Sequence, residues 1–138
     1  MDQQLIAQKL ESLRRCVKRV DTKCPDTVEI LIDDADIQDI VVLNLTRAVQ
    51  LSVDIASHLI AQSDESTPGT MGESFSTLSK LNIIDDSTAS NMKKAVGFRN
   101  IAVHDYKDIN WAIVHAICTQ HLQDFREFAR KTARYCQL

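Results

Sequence analysis

Three side chains with useful chemistry lie within eight residues, in the segment RNIAVHDY that contains Arg99, His104 and Tyr106. The guanidinium of an arginine is always charged and holds phosphate oxygens with its planar fork of N–H groups. An imidazole takes up or releases a proton near neutral pH. A fixed cation and a proton-transfer group are the two tools needed to cleave an RNA backbone without a metal ion. These residues are therefore the first candidates for a functional site, and the segment is called the RNIAVHDY motif below.

The spacing of these residues on a helix decides whether they can act together. Arg99 and Tyr106, seven residues apart, return to nearly the same face, and Asn100 and His104 do so at a spacing of four. His104 lies about 140° around the helix from Arg99. The two side chains can therefore line adjacent walls of one cleft if the helix frays or ends at His104.

The same residue types also have a purely structural interpretation. Arg99 could form a salt bridge with Asp105 or Asp108, and His104 could cap a helix C-terminus, where the helix dipole favours a positive imidazole. Tyr106 could be a half-buried aromatic residue packed against the next helix. Residue types alone leave these interpretations open beside the catalytic one.

Other polar residues form less specific patterns. His115, Cys118 and His121 follow one another at steps of three, but the outer pair is about 120° apart on a helix and no fourth ligand is near. Positions in the core or at its rim are therefore favoured over a zinc site, and we expect no metal and no cofactor. The lysines that flank the motif could form a phosphate-binding rim or an ordinary solvated surface; they are Lys93, Lys94 and Lys107.

The composition is typical of a soluble globular protein. With 138 residues, 44% hydrophobic and 25% charged, the chain is long enough for one domain and short for two. Its first residues contain no continuous apolar segment like that of a signal peptide, so we expect a cytoplasmic location. Its four cysteines form no CxxC pair and should be free thiols. The net charge of −3 means that any RNA contact must come from a local basic patch.

Hydrophobic periodicity predicts an all-α fold, an antiparallel bundle of about five helices. Ile6, Leu10, Leu13, Val17 and Val20 recur at steps of four and three and form the apolar stripe of the first helix. The second helix is apolar on more than one side, so it should lie in the middle of the bundle or face a partner subunit. The predicted helices span residues 5–20, about 34–62, 73–81, about 88–103, and from 108 or 110 to the basic end near 134, with a connector at 27–34 and a surface loop at 63–72. The RNIAVHDY motif falls at the end of the fourth.

The RNIAVHDY motif resembles a known family signature. Arg99 and His104 match the R-x4-H motif of the HEPN ribonucleases, and with Tyr106 the segment is similar to the R-x4-H-x-Y form of the HepT toxins. The resemblance extends, in order and spacing, over nearly the whole chain, through LNLTRAVQLSVDIASHLIA, ESFSTLSKLNII and NMKKAVGFRNIAVHDY. It implies a helical HEPN bundle, two copies of which pair so that both motifs meet in a groove at the dimer interface.

The resemblance also implies roles for individual residues. Arg99 and His104 would be catalytic, and Asn100 matches a polar residue that would position the site through a hydrogen bond. Tyr106 matches the tyrosine that the partner antitoxin, an MNT-type nucleotidyltransferase, modifies with AMP from ATP. We therefore expect a single HEPN domain over residues 1–138 that acts as a metal-independent ribonuclease, the toxin of a toxin–antitoxin pair.

Two other functions stay open on the sequence. The bundle could be a non-catalytic docking or substrate-binding subunit of a nucleotidyltransferase, or it could be a purely structural helical dimer. Toxicity on expression that is lost in a His104→Ala variant would separate the ribonuclease from both. Copurification with a nucleotidyltransferase would separate the docking subunit from the structural dimer.

Overall fold

The computed structural model describes residues 2–138, and the regular elements in that range are all helical. The seven α-helices are α1 (Gln3–Lys23), α2 (Val28–Asp33), α3 (Ala35–Ala61), α4 (Met71–Lys80), α5 (Asp86–His104), α6 (Trp111–Ala116) and α7 (Leu122–Tyr135). A 3₁₀ turn (Tyr106–Asp108) follows α5, and a π-helical segment (Ile117–His121) joins α6 to α7. The predicted all-α bundle is confirmed.

Short polar side chains fix where the longer helices begin. The carboxylate of Asp34 accepts a hydrogen bond from the backbone N–H of Ile37 at 3.1 Å, and that of Asp85 accepts one from Thr88 at 2.7 Å. Each bond satisfies a backbone donor that has no partner within the helix. These caps set the first residues of α3 and α5, and α5 carries the RNIAVHDY motif.

The long helix α3 is the centre of the bundle. It packs against α1, α2, α4, α5 and α7, and its buried residues point to several sides. By length and composition α3 could cross a membrane, but 50% of its most apolar window is buried inside the bundle. A helix surrounded by other helices needs apolar residues around most of its circumference. The breadth of its apolar surface, noted in the sequence, is therefore explained by its central position.

The remaining core is built from the stripe of α1 and from aromatic residues of α4 and α7. Ile6, Leu10 and Leu13 of α1 are at most 1% exposed, as the periodicity predicts. Phe75 of α4 meets Phe128 of α7 edge to face, with ring centroids 5.6 Å apart. Such a contact favours a single arrangement of the two helices because the ring edge must meet the ring face.

The prediction of a connector at residues 27–34 was wrong, because α2 occupies most of that segment. Thr27 caps it, since its hydroxyl accepts a hydrogen bond from the N–H of Ile30 at 3.3 Å. The side chain of Gln38, in α3, donates to the carbonyl oxygens of Leu31 and Ile32 at 2.9 and 3.0 Å. A helix this short is not stable by itself. It is held by a side chain of the next helix, which the local pattern of Val28, Ile30 and Ile32 does not reveal.

The last predicted helix is also more complex than expected. It begins at Trp111, capped by Asn110, whose side-chain oxygen accepts from the N–H of Ala112 at 3.0 Å. The π-helical segment then interrupts it before α7, so one predicted helix is present as α6, the π turn and α7. A π turn shifts the helical register by one residue. Buried Val114 lies before the π-helical segment, Cys118 lies within it, and Leu122 and Phe125 follow it, so the helices on both sides reach the core.

Candidate ribonuclease site at the end of helix α5

Arg99 and Asn100 form the first part of the site, in the penultimate turn of α5. Arg99 is half-buried, and its Nη1 donates to Oδ1 of Asn100 at 3.3 Å. In residues 2–138, no carboxylate lies within 4 Å of the Arg99 guanidinium, so the salt bridge to Asp105 or Asp108 is not formed. The guanidinium is held by a neutral amide and keeps donors available for an anion.

His104 is the last residue of α5 and its side chain is exposed. The backbone N–H of Asp105 donates to the carbonyl of Ile101 at 2.8 Å and closes the helix, after which Asp105 leaves the helical conformation at φ −139° and ψ 52°. α5 therefore ends at His104, which is the condition under which Arg99 and His104 could line adjacent walls of one cleft. Within the described residues the imidazole has no hydrogen-bond partner, so both ring nitrogens are accessible.

Tyr106 lies two residues after His104, on the 3₁₀ turn, and is hydrogen-bonded to a residue near the start of α3. Its hydroxyl donates to Oδ1 of Asp39 at 2.7 Å, and its ring meets that of Trp111 edge to face with centroids 6.1 Å apart. Partial burial and the hydrogen bond to the Asp39 carboxylate raise the pKa of Tyr106 to about 12. Tyr106 is still 42% exposed. The residue therefore packs against Trp111, as in the structural interpretation, and also keeps part of its surface open to a partner.

Asp39 is a residue that the sequence analysis missed. It precedes Tyr106 by 67 positions, and a single acid in the first turns of a helix carries no motif. The sequence offered one sign of it: Asp39 is an acidic residue on the exposed side of a helix that is otherwise largely apolar. Only the packing of the 3₁₀ turn against α3 brings the two side chains together.

An apolar groove of about 460 Å³ opens beside the motif, between α3, α5 and the α6–α7 segment. Phe98 and Ile101 of α5 and Ile113 of α6 form much of its wall. Ile101 and Ile113, which line this groove, are 48 and 55% exposed, so large apolar side chains are concentrated there. Apolar patches of this kind on a folded chain mark places where another surface binds.

The three lysines near the motif are distributed over α5 and the 3₁₀ turn. Lys93 faces the groove between α4 and α5, beside Ser76 and Ser79, whereas Lys94 lines the apolar groove. Lys107 lies on the 3₁₀ turn next to Tyr106. Lys93 and Lys94 thus face different grooves, and a phosphate-binding rim of all three lysines stays a prediction.

The histidines and the cysteine considered as zinc ligands have other neighbours. Nε2 of His115 lies 2.8 Å from the carbonyl oxygen of Pro25, and Nδ1 of His121 lies 3.5 Å from Asp124. Cys118 is buried beside Cys24, and burial raises the pKa of its thiol well above the usual range. In the part of the chain that the structure describes, no three His, Cys, Asp or Glu side chains are grouped to hold a metal ion.

Comparisons with known proteins identify relatives of this chain in sequence and in fold. Residues 6–132 match the family model described as ribonuclease HepT-like. The mRNA nuclease HepT of Shewanella oneidensis is 38% identical over 124 residues, which cover 90% of this chain and 92% of that protein. A solved toxin–antitoxin structure with AMP-PNP superposes with a TM-score of 0.89 at 35% identity, over 95% of this chain and 98% of that one.

A second solved structure carries the modified state of a relative. The tri-AMPylated HEPN toxin of Shewanella oneidensis, in complex with an MNT antitoxin, superposes with a TM-score of 0.88 at 36% identity, over 97% of this chain and 98% of that one. A match of the family model over nearly the whole chain, with relatives above 30% identity in sequence and in fold, establishes the family. The chain belongs to the HepT-like ribonucleases.

Proposed function

We propose that this chain is the toxin of a toxin–antitoxin pair and cleaves RNA without a metal ion, with Arg99 and His104 as its catalytic residues. The observation that carries the proposal is the end of α5, where an arginine without a carboxylate partner and an exposed imidazole stand on one helix terminus. The relative named as an mRNA nuclease supports RNA as the substrate class.

The cleavage step uses the two side chains differently. The ribose 2′-oxygen attacks the adjacent phosphorus, the bond from phosphorus to the 5′-oxygen breaks, and a 2′,3′-cyclic phosphate and a 5′-hydroxyl result. The imidazole of His104 takes the 2′-hydroxyl proton or supplies a proton to the leaving 5′-oxygen. The guanidinium of Arg99, steadied by Asn100, stabilises the charge that builds up on the phosphate oxygens.

A homodimer would complete this site. Acid and base are both needed in one cleavage, and a single chain contributes one His104 at this helix end. A twofold axis beside the apolar groove would place a second His104 across the same cleft, since C2 pairing uses the same patch on both subunits. The exposed Ile101 and Ile113 of the groove supply apolar area for that contact.

Regulation would act on Tyr106. In the proposed step the Tyr106 oxygen attacks the α-phosphorus of ATP bound to the antitoxin, pyrophosphate leaves, and the phenolic proton passes toward Asp39, which already accepts its hydrogen bond. The new phosphodiester charge and the adenine would occupy Arg99 and the cleft. The AMPylated toxin of the relative supports this scheme. We place this activity in the cytoplasm and in one domain that spans the chain.

Incubation of the purified chain with RNA in EDTA tests the proposal. Cleavage should persist in EDTA, the products should carry cyclic phosphate and 5′-hydroxyl ends by mass spectrometry, and the His104→Ala variant should be inactive. A folded His104→Ala chain that cleaves at the parent rate, or cleavage that EDTA abolishes, contradicts it. If the chain instead binds an MNT-type antitoxin but never cleaves RNA, it is the docking subunit.

A further inference from the structure

A cluster of arginines lies away from the RNIAVHDY motif, between α1 and α3. Arg15 and Arg19 of α1, one turn apart, and Arg47 of α3 line a groove of about 510 Å³. Asn44 and Gln50 contribute polar side chains to its α3 wall. This surface, called the α1/α3 groove below, takes no part in the catalytic step described above.

The α1/α3 groove is locally positive in a chain whose net charge is −3. None of its three guanidinium groups has a carboxylate within 4 Å among residues 2–138. The acid that lines the groove, Asp54, lies 3.7 Å from Nζ of Lys9 and accepts a hydrogen bond from Gln50 at 2.9 Å. The arginines therefore keep their charge and their donors for an outside anion.

A second basic groove, between α1 and α7, differs in this respect. Its arginines include Arg126, which lies 3.5 Å from Asp21, and Arg130, which lies 2.8 Å from Glu127. Two of the four arginines that line this groove are thus paired with carboxylates of the chain. This second groove provides a matched surface of similar composition for comparison.

The position of the α1/α3 groove relates it to the catalytic helix end. On α3, Asp39, Arg47 and Asp54 fall within an arc of about 80°, so they share one exposed side of that helix. Asp39 holds the hydroxyl of Tyr106. Arg47 follows Asp39 by two turns, about 12 Å along the axis. A polymer that leaves the RNIAVHDY motif across α3 therefore reaches Arg47 first and then α1.

We propose that the α1/α3 groove is a subsite for the RNA backbone, in which Arg15, Arg19 and Arg47 hold phosphates of the strand next to the cleaved bond. The inference rests on the proposed ribonuclease function. A ribonuclease that stabilises the cleaved phosphate with Arg99 needs further cations to hold the rest of a polyanion, and Lys93 and Lys94 line different grooves. Unpaired arginines in a groove meet that need because each planar fork can bind a phosphate.

The test measures RNA binding apart from cleavage. In a His104→Ala background, binding of a short labelled single-stranded RNA is followed by anisotropy over a range of salt. The triple change Arg15→Gln, Arg19→Gln, Arg47→Gln should weaken binding about tenfold or more at low salt and reduce the slope of log affinity against log salt by about 2. The triple change of the same residues to Lys should keep most of the slope, which separates lost charge from lost folding.

The matched control removes three arginine charges from the second basic groove, between α1 and α7. Arg14→Gln, Arg126→Gln, Arg134→Gln gives the same net charge but should keep the parent slope. Equal losses in both triple variants, or parent binding in the α1/α3 variant, would overturn the subsite even if the parent chain cleaves RNA. A variant that binds RNA normally but no longer binds the antitoxin would show a protein interface there instead. Failure of the parent to bind or cleave RNA would end the ribonuclease proposal and this one together.

Discussion

Arg99 is the residue whose chemistry is hardest to replace. Its guanidinium combines a permanent charge with a planar set of donors, one of which is already directed to Asn100. A lysine would retain the charge but could not bind the amide and a phosphate with the same geometry. A lysine substitution therefore separates the contribution of the charge from that of the planar donor geometry.

We expect Arg99→Ala and His104→Ala to lower the rate of RNA cleavage by about 10²-fold or more each. Arg99→Lys should be nearly as defective as the alanine variant, whereas Asn100→Ala should lose less because it removes only a positioning contact. Single-turnover cleavage assays measure these rates, and circular dichroism checks that each variant is folded. Near-parent activity in Arg99→Lys would show that charge alone is sufficient.

Tyr106→Phe should separate activity from regulation. The phenylalanine ring can still pack on Trp111, so the variant should cleave RNA, but it lacks the oxygen that would receive AMP. Incubation with the antitoxin and ATP should add adenylate to the parent peptide containing Tyr106, with loss of cleavage, and neither should occur in the variant. Tyr135→Phe is the control, since Tyr135 is exposed at the end of α7, far along the chain from the motif. Adenylate on Tyr135 with Tyr106 unmodified would refute the assignment.

At the scale of the element, the start of α5 matters because its end carries Arg99 and His104, the residues proposed to be catalytic. Asp85 caps it, and Nζ of Lys131, on α7, lies 2.5 Å from the Asp85 carboxylate. The hydrogen bond from Lys131 is the main cause that holds the pKa of Asp85 well below its usual value, followed by the contacts with Thr88. A single carboxylate thus joins two helices and fixes the register of the motif-bearing one.

Asp85→Ala should destabilise the fold by about 1 kcal/mol, the usual cost of a lost N-cap. Asp85→Asn should lose much less, because asparagine caps equally well and an exposed ion pair contributes little. The pKa of Asp85 is lowered in the folded state, so its stabilising effect is present above the ordinary value of 3.8 and is lost as the pH falls below it. Denaturant unfolding at neutral and acidic pH measures both effects. Equal stability of the alanine and asparagine variants at neutral pH would contradict the capping role.

At the scale of the whole molecule, the exposed apolar side chains around the RNIAVHDY motif suggest how two chains meet. A charge introduced there would have to be desolvated in a dimer but not in a monomer. The folded chain should tolerate it, since Ile113 is 55% exposed. The oligomeric state and the activity should therefore change together.

If the chain pairs as proposed, Ile113→Glu should convert the dimer to a monomer and reduce RNA cleavage, with helicity unchanged. Tyr135→Glu is the matched control, because Tyr135 is 53% exposed and belongs to α7. Light scattering at micromolar concentration measures the mass of each. A parent chain that is monomeric at that concentration and fully active would remove the need for a second His104.

The amino-acid sequence by itself determines the helical class, the bounds of the long helices and the position of the motif. These depend on local patterns, such as the stripe of α1 and the caps at Asp34 and Asp85, which act over a few residues. The family resemblance, carried by Arg99, His104 and Tyr106, was confirmed. It could be recognised from the sequence because a short motif and the order of the helices around it are both visible in local patterns.

Only the tertiary structure decided which distant side chains meet. The contact of Tyr106 with Asp39, the α1/α3 groove with Arg15, Arg19 and Arg47, and the helix α2 held by Gln38 all join residues on different elements. Their geometry depends on how the helices pack around α3, and hydrophobic periodicity reports which face of a helix is buried but not what that face meets. The helix end that carries the motif could therefore be predicted from the sequence, whereas its surroundings required the fold.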